Sequence, residues 1–222
     1  MLIALIFVIT VLLPEGLTQN GPPPDLNSTN CADNRMKKEW RELIVKMHNF
    51  RRSQLAKKTM MRKPKNDLPQ AANMEKMAYS CPLETDAFMR ASNCTISTFP
   101  GTNLAVVNIA DQSPLTIQED IREAVKSWWS VVEMNGPTSD VIFKQEYENM
   151  TTASFTQMAW AMNFHVGCGF SMCSPAYLMV VCRYAPGGNI VGQPIYKAGK
   201  PCTACPPSNG TCSPDEGLCS IF

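Results

Sequence analysis

Two histidines, His48 and His165, are all that the 222-residue chain offers for imidazole chemistry. Imidazole titrates near neutral pH and is the commonest metal ligand, so general-base or zinc chemistry depends on where those two fall. His48 sits within a long helical pattern and His165 immediately precedes a strand-like run, with no acidic residue placed to complete a ligand set. Histidines of this kind are read as packing or hydrogen-bonding residues, so no metal and no cofactor are expected. Ser154 is the other candidate. Serine catalysis needs a base held by a third group and an oxyanion site close by. Ala153-Ser154-Phe155 carries no Gly-x-Ser-x-Gly elbow, so Ser154 is read as a small polar residue rather than a nucleophile.

The thiols point elsewhere. There are ten, Cys31, Cys81, Cys94, Cys168, Cys173, Cys182, Cys202, Cys205, Cys212 and Cys219, an even number that a nucleophilic cysteine would leave odd. Cys202-x-x-Cys205 alone could suit zinc or redox chemistry. Residues Leu2 to Leu13 are almost wholly apolar and are followed by small residues near Thr18, the pattern of a signal peptide over 1–18. In the oxidising compartment that export implies, five disulfides and a stapled tail are the expectation. A bridge between Cys173 and Cys182 across a hairpin is predicted, the remaining pairings being open. Four Asn-x-Ser/Thr sequons, at Asn27, Asn93, Asn149 and Asn209, are expected on solvent-facing loops. No later apolar run is long enough to cross a bilayer, so the chain reads as secreted and extracellular, without a transmembrane segment. A net charge of +1 argues against nucleic acid as a partner.

These residues must be held by a core, and 45% hydrophobic residues are enough to build one. Residues 19–33, rich in Pro and Asn, read as an extended arm. A helix is predicted from about Asn34 to Lys58, its stripe formed by Met36, Trp40, Leu43, Ile44, Met47, Phe50 and Leu55. Asp33 or Asn34 would cap it. A second helix is expected around Ala71 to Ser80 and a third after Pro82, where proline suits the first turn. Residues 93–113 read as loop. A fourth helix starts at Thr116, which forms a capping box with Glu119, and runs to about Val132, before the stop at Asn135-Gly136-Pro137. A short helix near Thr152 to Ala161 then precedes two strands, Val166 to Met172 and Tyr177 to Arg183, joined as a hairpin. Residues 34–200 form the predicted domain, and 201–222 a cysteine-rich, hinge-like tail without apolar periodicity.

Two segments carry a family resemblance. Phe155-Thr156-Gln157-Met158-Ala159-Trp160 and Met179-Val180-Val181-Cys182-Arg183-Tyr184-Ala185-Pro186-Gly187-Gly188-Asn189-Ile190 resemble the two signatures of the CAP superfamily, the cysteine-rich secretory, antigen 5 and pathogenesis-related proteins. His48-Asn49-Phe50-Arg51-Arg52, Trp128-Trp129 and Val166-Gly167-Cys168-Gly169 are similar to further family motifs, in the right order. The tail resembles that of venom-allergen-like and activation-associated secreted proteins of nematodes. The resemblance implies an α+β fold, a three-layer α-β-α CAP sandwich with a disulfide-stapled C-terminal extension. It also implies a cleft that in many members holds two His and two Glu and binds zinc in some. Here those positions are degenerate: Ser154 replaces a His, Thr102 and Val131 replace the two Glu, and Glu84 to Asn93 supplies no second His.

Binding, not catalysis, is therefore expected. The resemblance implies that a fatty acid or sterol channel would run between Trp40, Leu43, Ile44 and Met47 of the first helix and Ile121, Val125 and Trp128 of the fourth. The 14 methionines suit either an adaptable apolar pocket or ordinary core filling. A basic patch, Arg51, Arg52, Lys57, Lys58, Arg62, Lys63 and Lys65, supports the alternative of an immunomodulatory effector that binds an extracellular protein or a sulfated glycan. A zinc-dependent or serine hydrolase is the third reading.

Overall fold

The strand Tyr177–Ala185 is buried on both faces, and that decides the architecture. Leu178, Val180, Cys182 and Tyr184 enter the main hydrophobic core, while Met179 and Val181 pack with Ala87 and Ala91 in a second cluster. Successive strand side chains point to opposite faces, so such a strand needs a helical layer on each side. The structure, a computed structural model, describes residues 28–61, 63–97, 99–109, 117–206 and 211–220. The predicted signal peptide, most of the arm with Asn27, and Arg62, Thr116 and Asn209 lie outside the described residues.

The main sheet has the order β1-β3-β4-β2, with β1 (Ala78–Tyr79), β2 (Thr102–Asn108), β3 (His165–Ser174) and β4 (Tyr177–Ala185). β1 runs parallel to β3, and the other pairs are antiparallel. One face is covered by α1 (Lys38–Lys57), α3 (Ile117–Ser130) and α5 (Thr152–Ala159), the other by α2 (Cys81–Ser92). A short α4 (Val132–Asn135) and a 3₁₀ turn (Gln145–Asn149) link α3 to α5. β5 (Thr211–Ser213) and β6 (Leu218–Ser220) form a separate two-stranded ribbon in the tail. This is the predicted three-layer sandwich with its stapled extension.

α2 lies directly on β3 because Gly167 and Gly169 present no side chain to it. A Cβ on Gly167 would stand 2.3 Å from the Glu84 nitrogen, and one on Gly169 would stand 2.5 Å from that of Phe88. The helix starts where Ser80 accepts a hydrogen bond from the Leu83 N–H, with Pro82 in the first turn as predicted. Its Glu84 side chain is buried and forms a two-point ion pair with Arg41 of α1, at 2.7 and 2.8 Å. The Tyr79 hydroxyl also donates to Glu84, at 2.7 Å. Breaking such a buried pair on one side typically costs about 3–5 kcal/mol.

Several elements differ from expectation. No helix forms over 71–80, because its backbone groups bond to distant partners. Asn49 clamps Met77 through both its amide groups at 2.8 Å, the Glu75 carbonyl accepts from Arg52, and Ala71 and Glu75 bridge to Ala198 and Cys219. Residues 102–108 are a strand, not loop. β2 shows no clean alternation in burial and is legible only beside β4, with which all seven of its residues pair. α1 starts at Lys38, after an extended Lys37 rather than a cap at Asp33 or Asn34, and Phe50 is exposed. Met36, Met47, Met74, Met77 and Met158 are buried in the main core, as ordinary filling would have them.

All ten cysteines are paired, but not as predicted at the hairpin. Cys182 faces Cys168 across the β3–β4 ladder, with a Cα–Cα distance of 4.1 Å. Cys173 lies five residues further along β3, roughly 16 Å at strand rise, beyond any disulfide reach from Cys182. It bridges instead to Cys94, just after α2, closing a loop of 79 residues. In the chain-entropy account such a loop closure is worth roughly 4 kcal/mol. Cys31–Cys81 ties the arm to α2, while Cys202–Cys212 and Cys205–Cys219 staple the tail.

Candidate functional site

His48, Asn49 and Arg52 of the first-helix motif turn inward, and each has a structural task. His48 is fully buried, with Nδ1 2.8 Å from the Ile44 carbonyl, which requires that nitrogen to be the protonated one. Nε2 then accepts from the Tyr184 hydroxyl at 3.0 Å. Burial pushes the imidazole down to about 3 and raises the Tyr184 phenol, so both are neutral at physiological pH. Arg52 is also fully buried. Its guanidinium makes six N–H···O contacts of 2.7–3.1 Å to the carbonyls of Glu75, Met158, Trp160, Ala161 and Asn163. Desolvation lowers Arg52 to about 9, and the carbonyl cage, not solvent, compensates its charge.

Tyr184 connects this interior to the surface. Asn103 of β2 donates through Nδ2 to the Tyr184 oxygen at 3.4 Å and to the Ser154 carbonyl at 2.9 Å. Asn103 lies in the floor of a cleft of about 790 Å³ bounded by β2, the end of α3, the 3₁₀ turn and α5. Thr102, Val131 and Ser154 all line it. The Trp128 indole reaches across, donating to the Leu104 carbonyl at 3.0 Å. Asn189 closes one end by donating to the Ala153 carbonyl at 2.8 Å and accepting from Thr156 at 2.7 Å. Around the mouth Ile96, Phe99, Val106 and Met150 are 43–75% exposed, an apolar rim of the kind that marks a binding surface.

A family model described as CAP, the cysteine-rich secretory protein family, matches residues 45–184. The chain belongs to the CAP family. It is similar to Ancylostoma secreted protein of Ancylostoma caninum, 31% identical over 214 residues, which are 93% of this chain and 50% of that protein. The chain thus spans half the length of that curated relative. It is 28% identical to Scoloptoxin SSD976 of Scolopendra dehaani over 187 residues, 81% of this chain and 83% of the relative. Among solved structures, that of NaASP2 with Zn2+ matches with a TM-score of 0.75 and 29% identity, over 86% of this chain and all of the other. BmVAL-1 matches with a TM-score of 0.76 and 27% identity, over 86% and 98% of the two chains.

The zinc site that the CAP resemblance implies does not fit the residues present. Thr102, Val131 and Ser154 line the same cleft, but they contribute two hydroxyls and an isopropyl group. The Thr102 hydroxyl already accepts a hydrogen bond from the Arg183 guanidinium, a cation where a second cation would have to sit. The Ser154 hydroxyl donates to the Thr151 carbonyl at 2.8 Å. Among the described residues no three of His, Cys, Asp and Glu gather as a metal site. Neither histidine lines the cleft: His48 is engaged as above, and His165 opens β3 with its ring edge-on to Phe164 at 4.9 Å.

Other predicted residues are redistributed. Trp40, Ile44, Met47, Ile121, Val125 and Trp128 are buried together in the main core, with Leu43 partly buried against it. Of these seven, Trp128 alone lines the described cleft, which lies beside α3. The basic patch loses Arg52 to the carbonyl cage, a correction that follows from its full burial. Arg51 is partly buried and donates to the Met47 carbonyl, Lys57 donates to the Asp215 carbonyl, and Lys58 pairs with Asp67 at 2.7 Å. Lys63 and Lys65 are exposed, as are Asn93 and Asn149. Sequence reasoning missed Asn103 and Gln157 as cleft residues. Asn103 directly follows Thr102 and Gln157 stands inside the segment Phe155 to Trp160, but their polarity carries no periodicity that would mark them.

Proposed function

We propose that this chain is a secreted CAP protein without catalytic activity that holds a small apolar ligand in the cleft between β2, the end of α3 and α5. One observation carries the reading. Thr102, Val131 and Ser154, where the family resemblance expects two carboxylates and an imidazole, line a single cleft whose mouth is rimmed by exposed Ile96, Phe99, Val106 and Met150. Chemistry of the hydrolytic or metal-assisted kind requires a nucleophile with a base, or a ligand set, and those side chains are neither. Apolar surface around a concave site instead supports burial of an apolar molecule, worth about 25 cal/mol per Å² removed from water. The five disulfides support an extracellular setting. Native mass spectrometry before and after organic extraction tests the reading. A small apolar molecule should co-purify or be taken up, and Val106→Asp at the rim should abolish it. Uptake unaffected by Val106→Asp, or none at all, would refute it.

A second reading, binding of an extracellular protein or sulfated glycan through the basic segment, is supported by the exposure of Lys58, Lys63 and Lys65. Retention on heparin that survives to well above physiological salt would favour it.

A further inference from the structure

An open apolar rim is a liability in an exported protein. Ile96, Phe99, Val106 and Met150 stand 43–75% exposed around one cleft mouth, and apolar surface left open in this way associates with other surfaces. A group that kept large surfaces off while leaving room for small molecules would have to be hydrophilic and bulky. It would also have to stand at the rim itself, on fixed backbone.

Asn149 stands there. It is exposed, it lines the cleft between Glu148 and Met150, and with Met150 and Thr151 it forms one of the four sequons. The backbone on each side of it is held. The 3₁₀ turn that ends at Asn149 is anchored by Tyr147, buried with its ring edge-on to Phe143 at 5.8 Å. The Tyr147 hydroxyl accepts from the Thr138 N–H at 3.2 Å. The Met150 N–H donates to the Tyr147 carbonyl at 3.0 Å, and the Ala153 N–H to the Met150 carbonyl at 3.1 Å. Anything attached to the Asn149 amide therefore has its root fixed at the mouth. Asn93, also exposed and in a sequon, follows the last residue of α2 and does not line the cleft.

Resting on the cleft-binding reading above, we propose that Asn149 carries an N-linked oligosaccharide, and that this glycan screens the cleft mouth from macromolecular surfaces while small molecules pass beside it. The donor is a polyprenyl diphosphate-linked oligosaccharide of the secretory path. The bond from Asn149 Nδ2 to the sugar C1 forms, the C1–O bond to the diphosphate breaks, and the diphosphate leaves while the amide gives up one proton. A branched, hydrated chain rooted beside Met150 covers the rim without filling the cleft. The five disulfides support the export that this modification requires.

Secretion of the full chain from mammalian cells tests occupancy first. Peptide mapping after enzymatic deglycosylation in heavy-oxygen water should find Asn149 converted to labelled aspartate, and an unmodified Asn149 overturns the proposal. Retention on a phenyl resin then reads the screen. Asn149→Gln should elute later than the wild type, and Asn93→Gln, which removes a sequon away from the cleft, should elute with the wild type. Adding Val106→Asp to Asn149→Gln should bring elution back. Where Asn149→Gln is not secreted, Thr151→Val removes the same sequon and should give the same shift. Equal retention of wild type and sequon variant, or equal shifts at Asn93 and Asn149, overturns the screen. Uptake of the small dye N-phenyl-1-naphthylamine separates this from the reading beneath it. Wild type and Asn149→Gln should bind the dye within about twofold of each other. Uptake gained only in Asn149→Gln overturns the selection by size, because the glycan then seals the cleft. Uptake by neither, with the resin shift intact, removes the cleft as a binding site and leaves the glycan as a cover for the rim alone.

Discussion

His48 Nε2 and the Tyr184 hydroxyl lie 3.0 Å apart in the buried interior between α1 and β4, and each fixes the other's protonation state. The phenol donates, so the imidazole must be neutral. The Ile44 carbonyl holds the remaining ring proton. Asn103 extends this contact to the cleft floor.

A pH dependence follows. Burial lowers His48 to about 3, against an ordinary value of 6.5, so the unfolded chain binds a proton there that the folded chain refuses. Stability rises with pH wherever the unfolded state holds more protons, so this contribution is complete above about pH 6.5 and is lost as pH falls towards 3. Its ceiling is about 5 kcal/mol. Urea denaturation between pH 7 and pH 5, above the range where carboxylates dominate, should show falling stability. His48→Asn should flatten that slope, and an unchanged slope would assign it to His165, the one other histidine, which burial lowers as well.

Arg52→Lys should be severely destabilising even though charge is kept. Lysine offers three donors from one point, whereas the cage around Arg52 uses a planar fork to reach five residues. Several buried carbonyls would be orphaned at about 1–3 kcal/mol each. Chemical denaturation should show a loss of at least about 3 kcal/mol. A loss below 1 kcal/mol would mean that the cage relaxes.

Gly167→Ala should cost more than an ordinary surface substitution, because the added methyl meets the α2 backbone at 2.3–2.6 Å and backbone cannot rotate away. Overpacking of this kind costs about 1–3 kcal/mol or more. Gly192→Ala is the control. Gly192 has open space around it, so its cost is confined to its positive φ of 79°. Thermal melts in which the two variants match would contradict the close α2–β3 approach.

Added zinc should leave the melting temperature of the wild-type chain unchanged, since the cleft offers hydroxyls and an isopropyl group. The triple variant Thr102→Glu, Val131→Glu, Ser154→His places two carboxylates and an imidazole there. It should gain a zinc-dependent rise of about 4 °C or more, reversed by EDTA. A comparable rise in the wild type would show that other residues bind the metal.

The helices with strong apolar stripes, the β3–β4 hairpin, the proline-started α2 and the cysteine-stapled tail were legible in the chain itself, since each is written in local spacing of apolar, turn or cysteine residues. The motifs singled out Thr102, Val131 and Ser154, and all three line the same cleft. What local spacing could not show is which polar residues face inward. Arg52 reads as one cation in a basic run, yet tertiary contacts wrap it in carbonyls from two distant segments, Glu75 and residues 158–163. Residues 71–79 and 102–108 take their conformation from partners far along the chain, so no local period marks them. Cys182 is paired by ladder register, a relation that exists only once β3 and β4 have met. The cleft is likewise a product of packing: β2, α3 and α5 are separated in sequence, and their docking alone makes one apolar-rimmed cleft out of them.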